Sequence, residues 1–243
     1  MKQSRLLILA LILFIFLAPH ARAAEKEKKW SDEAELALVD TGGNTNTTSL
    51  SAKNRLEYEF TNRITGTWEA AVLYGASESE TSAERYASEI RVDYLCTDRL
   101  YTAAFAGWEK DRFDGLDNRF YAGPTVGYKF LIGPRHFFKF ESGLNVVYEA
   151  YTDETEENFV KGRGFGEYRY SFSEKTNFTQ TLELLTNVQE MSDYDLRSKT
   201  SLLTSISDLL SLKTSYVLDY DNDPPAGTEY TDRFLSVTLV VNF

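Results

Sequence analysis

The chain has 243 residues, with 37 acidic against 26 basic side chains, a formal charge of −11 and a single cysteine, Cys96. That balance repels nucleic acid, and no basic stripe with interleaved aromatics offsets it. A lone cysteine excludes an internal disulfide and a cysteine-built metal cluster. Mean hydropathy is negative, which argues against a helical membrane protein but is what a membrane barrel shows, since every second barrel residue faces water or lumen.

The first residues read as a targeting segment. Lys2 and Arg5 precede an apolar run from Leu6 to Leu17, and Ala21-Arg22-Ala23 supplies a small-x-small cleavage site. The run falls short of the roughly 20 apolar residues a bilayer helix needs. The expected organisation is a signal peptide over 1–23, a short charged periplasmic leader over 24–31 and a barrel over 32–243. Losing Lys2, Arg5 and Arg22 with the signal takes the formal charge from −11 to −14. No cysteine stands near the cleavage site, so a lipid anchor there is excluded.

From residue 32 the chain keeps a rhythm. Tight polar turns fall at Thr61-Asn62-Arg63, Thr97-Asp98-Arg99, Gly133-Pro134, Ser173-Glu174-Lys175 and Ser207-Asp208, about 36 residues apart. Longer, more acidic turns lie between them, at 42–44, 77–83, 114–118, 152–158, 192–193 and 221–229. The spacing predicts twelve strands over 32–41, 47–60, 64–76, 84–97, 100–113, 118–131, 135–150, 159–172, 176–190, 194–206, 211–221 and 230–243. Each is long enough for a membrane strand of roughly ten residues. The fold class is therefore all-β: a transmembrane, up-and-down antiparallel barrel with both termini on the short-turn, periplasmic side.

Alternation within these stretches divides the faces. Leu56, Tyr58 and Phe60 oppose Lys53, Arg55, Glu57 and Glu59. Next, Tyr86, Ile90, Val92 and Tyr94 oppose Arg85, Glu89, Arg91 and Asp93. Phe138, Phe140, Leu144 and Val146 oppose Lys139, Glu141, Asn145 and Glu149. Over 159–172, Lys161, Arg163, Glu167 and Arg169 oppose glycines and tyrosines. Leu212, Tyr216 and Leu218 oppose Lys213 and Asp219. The last strand sets Leu235, Val237, Leu239, Val241 and Phe243 against Ser236, Thr238 and Asn242, with Val240 an apolar intruder. The strands over 100–113 and 194–206 alternate poorly, and their facing stays open.

A soluble barrel with apolar alternates inward is the competing reading. Aromatic placement decides against it, because Tyr and Trp gather where a bilayer meets water. Tyr58, Phe60, Tyr94, Tyr101, Tyr128, Phe130, Phe138, Tyr170, Phe172, Phe178 and Phe243 fall near the short turns. Tyr74, Tyr86, Phe120, Tyr148, Tyr194, Tyr220 and Tyr230 fall near the long ones. The final phenylalanine also resembles the closing strand of Gram-negative outer-membrane barrels. That resemblance implies an assembly signal, here Tyr230, Leu239, Val241 and Phe243, read by the barrel-assembly machinery.

Two stretches carry a family resemblance: Asp40-Thr41-Gly42-Gly43-Asn44-Thr45-Asn46-Thr47, and Trp108 through Arg119 followed by Gly123-Pro124-Thr125-Val126-Gly127-Tyr128. In that order they resemble the salt-induced outer-membrane protein family, a domain family of unknown function, over essentially the whole mature chain. The resemblance implies an outer-membrane barrel and brings no activity, substrate or catalytic residue. Gly42-Gly43-Asn44-Thr45 reads first as a tight turn. Asp111, Asp114, Asp117 and Asn118 place hard oxygen ligands in one loop, a candidate divalent-cation site, although a solvated acidic loop explains them as well. The acids of 153–157 and Asp219, Asp221 and Asp223 would meet outer-membrane lipopolysaccharide only through bridging Ca²⁺ or Mg²⁺.

The expected lumen lining is Lys53, Arg55, Glu57, Arg85, Glu89, Arg91, Lys139, Glu141, Lys161, Arg163, Glu167, Arg169, Arg197 and Lys199, with Glu59, Glu69, Asp93 and Glu183 on the same faces. Such a lumen is either filled by ion pairs or left as a narrow channel. Enzyme chemistry lacks a placed base. His136, the histidine remaining after signal cleavage, sits at the short-turn rim, and Cys96 falls on the lipid-facing alternation. The expectation is a non-enzymatic, cofactor-free barrel in the bacterial outer membrane, channel-like, with surrounding lipid and lipopolysaccharide as partners. The family resemblance implies a link to salt or osmotic conditions; a plugged structural or surface-receptor barrel without transport is the alternative, with an outer-membrane hydrolase behind it.

Overall fold

A computed structural model describes residues 29–42, 47–77, 80–112, 115–224 and 229–243. The expected signal peptide and most of the leader lie outside them. The described residues form twelve strands: β1 (Trp30–Gly42), β2 (Thr47–Thr61), β3 (Ile64–Ser77), β4 (Glu80–Leu95), β5 (Leu100–Asp111), β6 (Leu116–Ile132), β7 (His136–Tyr151), β8 (Glu156–Ser171), β9 (Thr176–Asn187), β10 (Tyr194–Ser205), β11 (Leu210–Asp221) and β12 (Thr231–Asn242). Each pairs antiparallel with its sequence neighbours, and β1 returns to β12, so the sheet closes. The seam runs from Glu33 opposite Asn242 to Gly42 opposite Arg233. Closure leaves no unpaired edge to recruit another chain.

The short turns share one local cause. In four of the five, a Ser or Thr hydroxyl accepts from backbone N–H groups two or three residues on, fixing the reversal. Thr61 Oγ1 accepts from Ile64 at 3.0 Å, Thr97 Oγ1 from Leu100 at 2.9 Å, Ser173 Oγ from Thr176 at 3.2 Å and Ser207 Oγ from Leu210 at 3.1 Å. The fifth uses Gly133, whose N–H donates to the His136 carbonyl at 2.9 Å.

Burial alternates along the strands with the period of two that the pleat imposes. On β12, Leu239 stands 42% exposed while neighbouring Val240 is 1% exposed. The two strands whose facing was open now resolve. On β5, Tyr101, Ala103 and Phe105 are buried between exposed Thr102, Ala104 and Ala106. On β10, Arg197 and Lys199 line the interior. Tyr101 therefore does not belong to the outer aromatic belt in which the turn-proximity argument placed it. The belt proper holds edge-on pairs: Tyr58–Phe60 at 5.0 Å, and Tyr128–Phe130 and Tyr170–Phe172 at 4.9 Å each. At the other end Tyr220 lies 6.0 Å from Tyr194 and 6.4 Å from Tyr230.

Candidate functional site

The inward alternates enclose a cavity of about 870 Å³. Its lining runs from Glu57, Asp93, Lys129 and Arg169 near the short turns to Glu84, Asp221, Pro224 and Tyr230 near the long loops. A side chamber of about 290 Å³ is lined by Lys53, Lys199, Arg85, Arg197, Glu35 and Asp219 and by uncharged residues of β1–β4, β11 and β12. Lys53 and Lys199 face the chamber, Arg85 and Arg197 border both spaces, and the other ten expected lumen residues line the larger one.

One half of the wall, β4 to β8, is organised on Glu141, which is fully withdrawn from solvent. Arg91 donates to both its oxygens at 3.0 and 3.1 Å, and Arg163 reaches Oε2 at 3.0 Å from the opposite side. Lys139 Nζ lies 3.2 Å away and the Tyr101 hydroxyl donates at 2.7 Å. A buried carboxylate with these partners stays charged and fixed; without them it would be strongly unfavourable. The tyrosines reach inward because glycines face them. Tyr101 stands opposite Gly127, and Tyr121 opposite Gly107, so each ring lies flat where a Cβ would collide. Tyr121 then donates to Glu89 at 2.9 Å. Arg163 also stacks over Phe105 and Phe165, 5.6 and 4.8 Å from their centroids.

Toward the long loops a second tier repeats the pattern. Glu109 sits between Arg85 and Arg119, and Arg119 Nε donates to Glu149 at 2.5 Å. Lys161 pairs with Asp195 at 2.5 Å. Arg163 Nε pairs with Glu183 at 2.5 Å, and Arg197 takes Asp219 with two nitrogens at 2.6 and 2.7 Å. Outside that tier, Lys53 and Arg55 share Glu69, Arg55 also holds Glu57 at 3.1 Å, Lys213 holds Glu35 at 2.8 Å, and Glu167 bridges Lys139 and Arg169.

The acidic loop divides its residues. Asp111 turns toward Arg85, Asp117 pairs with Lys110, and Asn118 accepts from the Trp108 indole at 3.0 Å; Asp114 lies outside the described residues. Among the described residues no three His, Cys, Asp or Glu side chains gather as metal ligands do. His136 Nδ1 sits 2.8 Å from the Tyr168 hydroxyl at the short-turn rim. Leu239 and Val241 face outward on β12, and the Phe243 N–H donates to the Asp32 carbonyl at 2.9 Å across the seam. The sequence reading missed Glu109, Arg119, Tyr101 and Tyr121. Alternation along β6, with Arg119, Tyr121, Gly123, Thr125, Gly127 and Lys129 on one face, carries the signal that exposes Arg119 and Tyr121; Glu109 and Tyr101 stand on β5, which gives none.

Comparison with known proteins places these features. A family model described as "Protein of unknown function, DUF481" matches residues 34–243. The chain is 30% identical over 217 residues to the uncharacterized protein YdiY of Escherichia coli (strain K12), covering 89% of this chain and 84% of that protein. Among solved structures, the NanC porin superposes with a TM-score of 0.61 at 7% identity, covering 86% of this chain and 98% of that one. An outer membrane channel from Pseudomonas putida F1 gives 0.59 at 12% identity, covering 93% and 100%. The translocator domain of the autotransporter NalP from Neisseria meningitidis gives 0.57 at 9% identity, covering 99% and 98%. The chain belongs to the DUF481 family and has the fold of outer-membrane barrels.

Proposed function

We propose that this DUF481 protein is a narrow outer-membrane channel for small ionic solutes, with a bore braced by ion pairs. The carrying observation is the cavity lined by charged residues of both signs from the short turns to the long loops, inside a wall whose outer alternates are apolar and aromatic. Such a wall suits a bilayer, and a charged bore admits water and ions where a packed core would not. Two of the similar folds belong to proteins described as a porin and a channel, which fits a passive, non-catalytic role. In this reading the short turns face the periplasm, the long loops meet lipopolysaccharide, and the β12 end carrying Phe243 is presented to the assembly machinery. A tie to salt or osmotic conditions follows the resemblance of the loop motifs, and transcript levels across a salt series test it.

Reconstitution into planar bilayers tests conduction. Discrete current steps from purified barrel support it. The clasp on Glu141 favours a second reading, a barrel closed by its own side chains, and silence from protein verified as inserted selects that reading instead.

A further inference from the structure

We infer that Lys199, with the side chamber it lines, forms a binding subsite for a small oxyanion inside the barrel. The inference deepens the conduction reading by naming a solute charge class, and it depends on that reading only for passage through the barrel, not for binding.

The other cations on this part of the wall are matched. Asp219 is held by Arg197, Glu183 by Arg163 at 2.5 Å, Glu35 by Lys213 at 2.8 Å and Glu69 by Lys53 at 2.5 Å. The two carboxylates that line the chamber with Lys199, Glu35 and Asp219, are thus already engaged, and its cross-strand neighbours are uncharged: Thr181 on β9 and Val217 on β11. Among the described residues Lys199 has no ion pair. Lys53 lines the same chamber, so a second ammonium, already paired with Glu69, stands on its wall. Lys199 is half-buried, and an ammonium partly withdrawn from bulk water without a counter-charge is unfavourable, a cost that an anion beside it offsets.

The chamber has room for such a guest. Its volume of about 290 Å³ is roughly ten times the space one water takes in the liquid. Ala37, Ala71 and Ala87 keep its walls low, and Ser51, Ser236 and Thr238 supply hydroxyl donors. Glu35 and Asp219 also stand on the wall, held by Lys213 and Arg197, and the unpaired Lys199 ammonium with these hydroxyls suits the oxygens of a phosphate or carboxylate.

The probe is inorganic phosphate, titrated into detergent-solubilised wild-type barrel at constant ionic strength, following the thermal midpoint. A saturable rise is expected. Lys199→Gln should weaken the phosphate response about tenfold, the loss of one charge-assisted hydrogen bond. Lys199→Arg keeps the charge and should retain the response, which separates loss of binding from loss of folding. A wild-type midpoint indifferent to phosphate, or equal responses in wild type and Lys199→Gln, overturns the subsite. The same proteins in planar bilayers distinguish the two readings. A phosphate response without current supports the subsite and overturns conduction alone. Current without a Lys199-dependent phosphate response overturns the subsite alone.

Discussion

Glu141 shows how one side chain holds one half of the lumen together. It is buried completely, yet it gathers Arg91, Arg163, Lys139 and Tyr101. Glu141→Gln leaves four donors facing an amide and frees positive charge in the bore. The expected cost is about 3 kcal/mol in denaturant unfolding from lipid vesicles, the lower range for breaking a buried pair, because Arg91 keeps Asp93 and Arg163 keeps Glu183. Reversal potentials in a salt gradient should shift toward anion preference. An unchanged unfolding midpoint would show that the clasp is not what braces the wall. Gly127→Ala tests the tyrosine side of the same cluster. The new methyl displaces the Tyr101 ring, which lies where a Cβ would be, at a cost of about 1–3 kcal/mol. At this scale the sequence was legible where charge alternates with oil, as at Lys139 and Glu141. It misled at Tyr101, because nearness to a turn says nothing about which face a residue takes when its strand neighbours are Thr102 and Ala103.

At the scale of the element, the turns were legible and the strand faces only partly so. The Ser or Thr that opens four short turns has a mechanism visible in the sequence, a hydroxyl in reach of following N–H groups. Thr97→Val removes the acceptor for Arg99 and Leu100, at 3.3 and 2.9 Å, and should lower stability by about 1 kcal/mol. Thr97→Ser should restore it; if both variants unfold alike, the hydroxyl does not fix the turn. A basic residue follows in three of those turns, Arg63, Arg99 and Lys175, with Arg135 after Gly133-Pro134, and all four are exposed. With the aromatic pairs one turn above them, they mark where a membrane surface would cross the wall. β5 and β10 resisted because periodicity needs contrast. β5 carries alanines on both faces, and β10 carries Ser and Thr on both, so only pairing with neighbours fixes their facing.

For the whole molecule, strand number and order could be read from turn spacing, since hairpin-linked strands have one way to close. The extent of the cavity could not, because it depends on how long side chains from opposite walls meet. The claim that organises the molecule is directional, with oily alternates outside and charged ones inside, and β12 offers a matched pair to test it. Val237 is exposed on the outer face, and Ser236 beside it borders the chamber. Val237→Arg places a guanidinium against hydrocarbon near the middle of the strand and should cost about 2–4 kcal/mol in vesicles. Ser236→Arg places the same group in a wet interior already crowded with ions and should cost far less, while altering conductance. A soluble barrel would give the opposite order, because its outer face is hydrated and its inner face is packed. Unfolding free energies for the pair, measured in the same lipid, decide between them, and a larger penalty at Ser236 would turn the wall inside out.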